Sequence, residues 1–172
     1  MYALVSWDFP SVAVASNGRI VVGAALISGG NLGYYTAYSD NGGSTWFGPY
    51  AVLRVRGGAS RLVWSASGFH VFTINDSSSP LYTLEHYTSS DGVAWSQTTS
   101  IATNYPMPLK SAGISSLNGD LSFSNTPDAA ASAGLGWVVA FPVSINNRNA
   151  INITTELGGG VTVNYTTGWL FT

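Results

Sequence analysis

Few residues of this chain could do chemistry, and their spacing limits what that chemistry would be. Of eight acidic residues only Glu85 and Glu156 are glutamates. Hydrolysis of a glycosidic bond uses two carboxyl groups held at a defined separation, and no spacing pairs Asp8, Asp76 and Asp128. Glu85 stands beside His86 in a predicted strand, where an exposed outer position is the plainer reading. Serine catalysis has no Gly-x-Ser-x-Gly elbow, and His70 and His86 lie inside predicted strands with no positioned acid nearby in sequence. Two histidines sixteen apart are weak metal ligands, and the turns lack the acidic density of a calcium loop. With no cysteine, disulfides and thiolate chemistry are excluded as well. The run Gly158-Gly159-Gly160 precedes a strand rather than a helix, so it reads as a turn and not a phosphate cradle. No cofactor is expected. What remains is aromatic and cationic: Trp7, Tyr105 and Lys110, with Asp8, Arg56 and Arg61, form the candidate ligand-binding set. Flat aromatic faces match the C–H faces of sugar rings, and planar guanidinium forks reach hydroxyls or carboxylates. Trp and Tyr also commonly just fill the space between sheets.

The elements that must position these residues follow from composition. At 172 residues, 13% aromatic, 8% charged and with 20 Gly, the chain suits one domain of many short strands joined by tight turns. A net charge of −2 with six scattered basic residues offers no stripe for nucleic acid or anionic lipid. No stretch approaches the roughly 18 apolar residues that span a membrane, so no membrane insertion is expected. Ser, Thr, Asn and Gly supply the polarity, a habit of extracellular, cell-surface or virion proteins. The first ten residues carry no signal-peptide pattern.

Repeats organise the chain. Asn17-Gly18, Ser67-Gly68 and Asn118-Gly119 each separate two apolar runs, which is a hairpin signal. Their glycines step by 50 and 51 residues. Each unit reads as four antiparallel strands: about 10–16, 19–27, 33–39 and 46–55; then 59–66, 69–75, 81–88 and 95–102; then 110–117, 120–125, 134–143 and 150–156. An alternative frame, matching Thr126-Pro127 to Phe9-Pro10, leaves the second and third units 67 or 68 residues apart and ignores Asn118-Gly119; the regular spacing is preferred. Runs such as Ile20 to Leu26 do not alternate polar and apolar residues, so these strands should be covered on both faces. Helical periodicity is missing. The termini, 1–8 and 161–172, are expected to share an incomplete unit.

A second periodic signal lies between the third and fourth strands. Ser39, Asn41, Gly43 and Trp46 recur as Thr88, Ser90, Gly92 and Trp95, with Ser144 to Ile151 as a degenerate third copy. In the first two, a polar side chain can bond backbone N–H groups inside the turn and Gly takes the φ > 0 position, whereas the third has Arg148 in the Gly place and Ile151 in the Trp place. Trp then opens the next strand facing inward. This frame resembles the Asp box of sialidase-like β-propellers, with Asn41 and Ser90 where that family usually carries Asp. The resemblance implies an all-β, propeller-like array of three to four four-stranded blades, in which the boxes are structural. It places a ligand face at the opposite end, on the connections 7–9, 27–32, 55–60, 75–80, 105–110 and 126–134. It also implies a catalytic set of three arginines, a Tyr–Glu pair and an Asp. Here Asp8-Phe9-Pro10 lacks the family's first arginine, and Arg54, Arg56 and Arg61 come from one connection.

The expected function is therefore a non-catalytic recognition or adhesion module, extracellular or on a virion such as a phage tail, that binds a glycan or cell-surface polysaccharide. One alternative is a self-associating structural subunit; another is a fragment of a sialidase-like glycosidase. Asn75, Asn152 and Asn164 fit the N-glycan acceptor pattern.

Overall fold

The computed structural model describes residues 7–26, 33–53, 57–75, 81–98, 100–106, 128–132, 136–145, 148–156 and 161–163. They form three antiparallel sheets and no helix. The first sheet runs β1 (Trp7–Val14), β2 (Ile20–Leu26), β3 (Gly33–Ser39) and β4 (Phe47–Leu53) in chain order. The second runs β5 (Gly57–Ser65), β6 (Gly68–Asn75), β7 (Leu81–Ser89) and β8 (Ser96–Gln97), with β9 (Ala102–Pro106) also paired to β7. The third runs β10 (Asp128–Ser132), β11 (Gly136–Ile145), β12 (Arg148–Thr155) and β13 (Val161–Val163).

The first two sheets are copies in detail. β1 and β5 each carry an extra residue early on, between Asp8 and Ser11 and between Gly57 and Ser60. Segments 7–9 and 57–60, predicted as connections, are thus the bulged starts of inner strands. The first hairpins differ by one residue: Val14 pairs with Ile20 around the Asn17-Gly18 loop, whereas the equivalent Trp64 pairs with Phe69.

The third sheet departs from the regular spacing. Predicted strands 110–117 and 120–125 lie outside the described residues. The third sheet's first hairpin pairs Ser132 with Gly136 as Ser65 pairs with Gly68, and the step from Ser65 to Ser132 is 67 residues. This agrees with the frame built on Thr126-Pro127, not with the preferred one. Ser144 to Ile151, predicted as a third box, is the β11–β12 hairpin closed by the Ile145–Arg148 pair.

The two box-like turns are held by side-chain acceptors. Ser39 Oγ accepts from Gly43 N at 2.9 Å, and Asn41 Oδ1 accepts from Thr45 N at 2.8 Å. In the second turn Ser89 Oγ accepts from Gly92 N at 2.8 Å, and Asp91 Oδ1 accepts from Val93 N at 2.9 Å and Ala94 N at 3.1 Å. The polar frame thus falls on Ser89 and Asp91, not on Thr88 and Ser90. The second turn is one residue shorter between acceptor and Trp, which displaced the sequence alignment. The indoles also differ. Trp95 Nε1 donates to Thr36 Oγ1 of the first sheet at 3.1 Å. Trp46, predicted to face inward, is 45% exposed, because no described sheet stands before the first.

Adjacent sheets pack face to face. Val21, Ala25 and Tyr34 of the first meet Leu62, Phe69, Val71 and Tyr87 of the second. The second sheet's other face, with Val63, Phe72, Ile74 and Leu84, meets Trp137 and Val139 of the third. β6 is buried from Gly68 to Ile74, although His70 and Thr73 interrupt its apolar residues. β2 instead alternates buried and half-buried residues, so it is covered on one face and not, as predicted, on both. Arg19 clamps the first junction: its Nε and Nη2 donate to Asp40 at 2.6 and 2.8 Å, and Nη1 donates to the Asp91 carbonyl at 2.8 Å.

A polar cluster pins the second junction. His70 Nδ1 lies 2.9 Å from His86 Nε2, and His70 Nε2 lies 2.9 and 3.0 Å from the Ser65 and Ser67 hydroxyls. From the third sheet, Glu156 accepts from Ser67 Oγ, and from Trp137 N at 3.1 Å. Phe72 stacks on His86 with ring centroids 4.7 Å apart, and Trp137 meets the same imidazole edge-on at 5.0 Å. Burial pushes both imidazole pKa values down, that of His86 to about 4, against the opposing pull of Glu156.

Two expectations follow in urea or thermal unfolding. Asp91→Ala removes the acceptor of two backbone N–H groups and costs about 1–2 kcal/mol, whereas Ser90→Ala stays within about 0.5 kcal/mol; equal costs would restore the predicted frame. Gly92→Ala costs more than Gly43→Ala: both have positive φ, but only at Gly92 would a Cβ meet Val21 Cγ2 at 2.6 Å. The histidines set a pH dependence. They stay neutral when folded and titrate near 6.5 when unfolded, so the unfolded chain binds more protons as pH falls. Stability should therefore decline from about pH 6.5 towards 4, by at most about 1.4 kcal/mol per pH unit per histidine. The loss from protonating Glu156, whose carboxyl its donors hold below the usual range, comes later. A flat melting temperature between pH 7 and 5 would contradict this.

Candidate functional site

The inner strands β1, β5 and β10 stand side by side and enclose a groove of about 510 Å³. Its walls are Pro10 to Val14, Arg61 to Trp64, Ala129 and Ala131. Ser11 Oγ accepts from Leu62 N at 3.0 Å, bridging β1 to β5. Arg61 is half-buried and is the charged residue among this described lining. A guanidinium at this place can offer its planar fork to the hydroxyls or carboxylate of a ligand. Beneath it, Tyr34 is fully buried, and its hydroxyl pKa is raised by burial although Arg61 pulls the other way.

A second concavity of about 650 Å³ lies on the open face of the first sheet, lined by Trp7, Val12, Val22, Tyr35, Trp46 and Phe47 among others. Trp7 meets Tyr35 edge-on at 5.8 Å. The predicted ligand set is therefore divided. Arg61 lines the groove and Trp7 the open face. Asp8 sits in β1 opposite Ala25, and Tyr105 sits in β9 opposite Tyr82. Arg56 and Lys110 lie outside the described residues, as do the predicted ligand-face connection 27–32 and most of 75–80 and 105–110, whereas 128–132 of the predicted connection 126–134 form β10. Asn75 donates its amide to Glu85 Oε1 at 2.9 Å, Asn152 pairs within the third sheet, and Asn164 lies outside the described residues.

Two groupings escaped the sequence reading. Glu85, expected at an exposed position, is buried and also accepts from Tyr87 Oη at 2.8 Å. The acid near the histidine pair is Glu156, which arrives from another sheet. The register Phe72–His86 on adjacent strands, which sets His70 diagonally next to His86, was the available signal for the pair; nothing local announced Glu156. As chemistry, the cluster lacks the geometry of a serine triad: His70 Nδ1 meets an imidazole rather than a carboxylate, and Ser67 donates to Glu156 directly. It is a junction staple.

No protein-family model matches the sequence, and comparison with curated proteins finds no relative. Solved structures do resemble it. An alpha-L-arabinanase from Penicillium chrysogenum, complexed with arabinobiose, superposes with a TM-score of 0.61 at 15% identity over 94% of this chain and 50% of that one. A Hadza microbial sialidase superposes with a TM-score of 0.54 at 17% identity over 92% of this chain and 33% of that one. The chain thus spans half of the first neighbour and a third of the second. Its fold is a β-propeller-like array of antiparallel sheets, of the architecture these glycosidases share.

Proposed function

We propose that the chain is a carbohydrate-recognition module that holds a glycan in the groove between β1, β5 and β10. The observation that carries this reading is the groove's lining: three inner strands that converge on the half-buried Arg61. Such a site favours a sugar bearing a carboxylate, whose two oxygens match the guanidinium fork. The turns at 39–46 and 89–95 serve in this reading as structural corners of the Asp-box kind. They lie at the end away from the predicted ligand-face connections. A second reading, favoured by the chain's spanning only half of one neighbour, is that it is part of a glycosidase whose remaining catalytic groups lie elsewhere.

On a glycan array the chain should retain acidic oligosaccharides, and Arg61→Ala should weaken that binding at least tenfold while leaving the melting temperature within a few degrees. Trp7→Ala, in the second concavity and absent from the groove's described lining, should leave affinity unchanged. Silence on every glycan would remove the first reading; hydrolysis of a fluorogenic sialoside or arabinoside by this chain would favour the second.

A further inference from the structure

We infer that the open face of the first sheet is one half of a sheet–sheet junction whose other half is the outer face of the third sheet in a second copy of this chain. The first sheet's open face is equivalent, residue for residue, to a face that is buried within the molecule. β1 and β5 align at an offset that places Val12 on Leu62 and Val14 on Trp64. Leu62 is 2% exposed against the first sheet, whereas Val12 is 61% and Val14 56% exposed. Trp46 answers to Trp95, which is seated on Thr36 of the preceding sheet. An apolar face of this size, closed by the same chain one repeat later, marks an interaction surface.

The third sheet carries the complement. Trp137 and Val139 face the second sheet, so the alternate residues face away. Val138 is 37% exposed, and Ala130 is exposed opposite it. By strand register Val138 answers to Val21, the residue that Gly92 rests upon in the first junction. Ile153, paired with Ala140, answers to Thr36, paired with Gly23. A copied junction would thus set Gly43 on Val138 and Trp46 on Ile153. The two free faces are the two halves of a contact that the chain already makes twice. A second copy is the occupant that presents that half by construction, and two copies would together match the length of a propeller neighbour that one copy half covers. Joined head to tail about a two-fold axis, they close a six-sheet ring with no open face.

Light scattering of the full chain during size-exclusion chromatography tests this. The expected result is a particle of twice the chain mass at tens of micromolar. Val12→Lys and Val138→Lys, both at exposed positions, should each weaken it at least tenfold while preserving the β-sheet circular dichroism and the unfolding midpoint of the dilute chain. Because the contact is heterologous, an equimolar mixture of the two variants keeps one intact junction and should recover part of the two-chain species. A single-chain mass, an open-ended series of larger masses, or a two-chain particle indifferent to both substitutions would overturn the inference.

Discussion

The constraint on which the rest of the structure depends is that each sheet is apolar on two faces. A sheet with one wet face can lie over a core alone, but these must be stacked. The second sheet shows the full requirement, with Leu62, Phe69 and Val71 committed to one neighbour and Phe72, Ile74 and Leu84 to the other. Hydrogen bonds then fix the registration that apolar packing leaves loose: Ser11 to Leu62, Trp95 to Thr36 and Arg19 to Asp91 at one junction, Glu156 to Ser67 at the other. The groove follows from this stacking, since it is the line along which the innermost strands converge.

The first two sheets were legible because their signals are local. A Gly between two apolar runs, and a polar side chain placed to cap a turn, act within a few residues, and both survive in single-sequence reading. Even there the register slipped, because Ser89 and Asp91 sit one place after the residues that match the first copy by counting. Counting cannot see a deletion inside a turn; only the bond from Asp91 to the backbone of Val93 and Ala94 reveals it. The third sheet was misplaced for a different reason. Asn118-Gly119 offered a regular spacing, and regularity was preferred over the Thr126-Pro127 match, although β10 starts at Asp128.

The candidate site was only partly legible. Arg61 was singled out for its charge and lines the groove, but Ser11 and Trp64 beside it carry no sequence signature of a site. The Ser–His–His–Glu staple was invisible because its members come from β5, the β5–β6 turn, β6, β7 and the residue after β12. Long-range convergence of this kind leaves no spacing to count. It also shows why the histidines are neutral: Phe72 and Trp137 displace water from both rings, and an uncharged imidazole is the form that tolerates such a setting.

The position of the second sheet has a consequence for how the molecule comes apart. In a linear stack, cooperativity is carried by interfaces between nearest neighbours. Both described cores draw on the middle sheet, so its loss severs the outer two from each other, whereas either outer sheet can detach while the remaining pair stays docked. In the dilute single chain, amide hydrogens of β6 should then be the last to exchange and those of β1 and β13 among the first, a gradient imposed by rank in the stack rather than by the strength of any single strand.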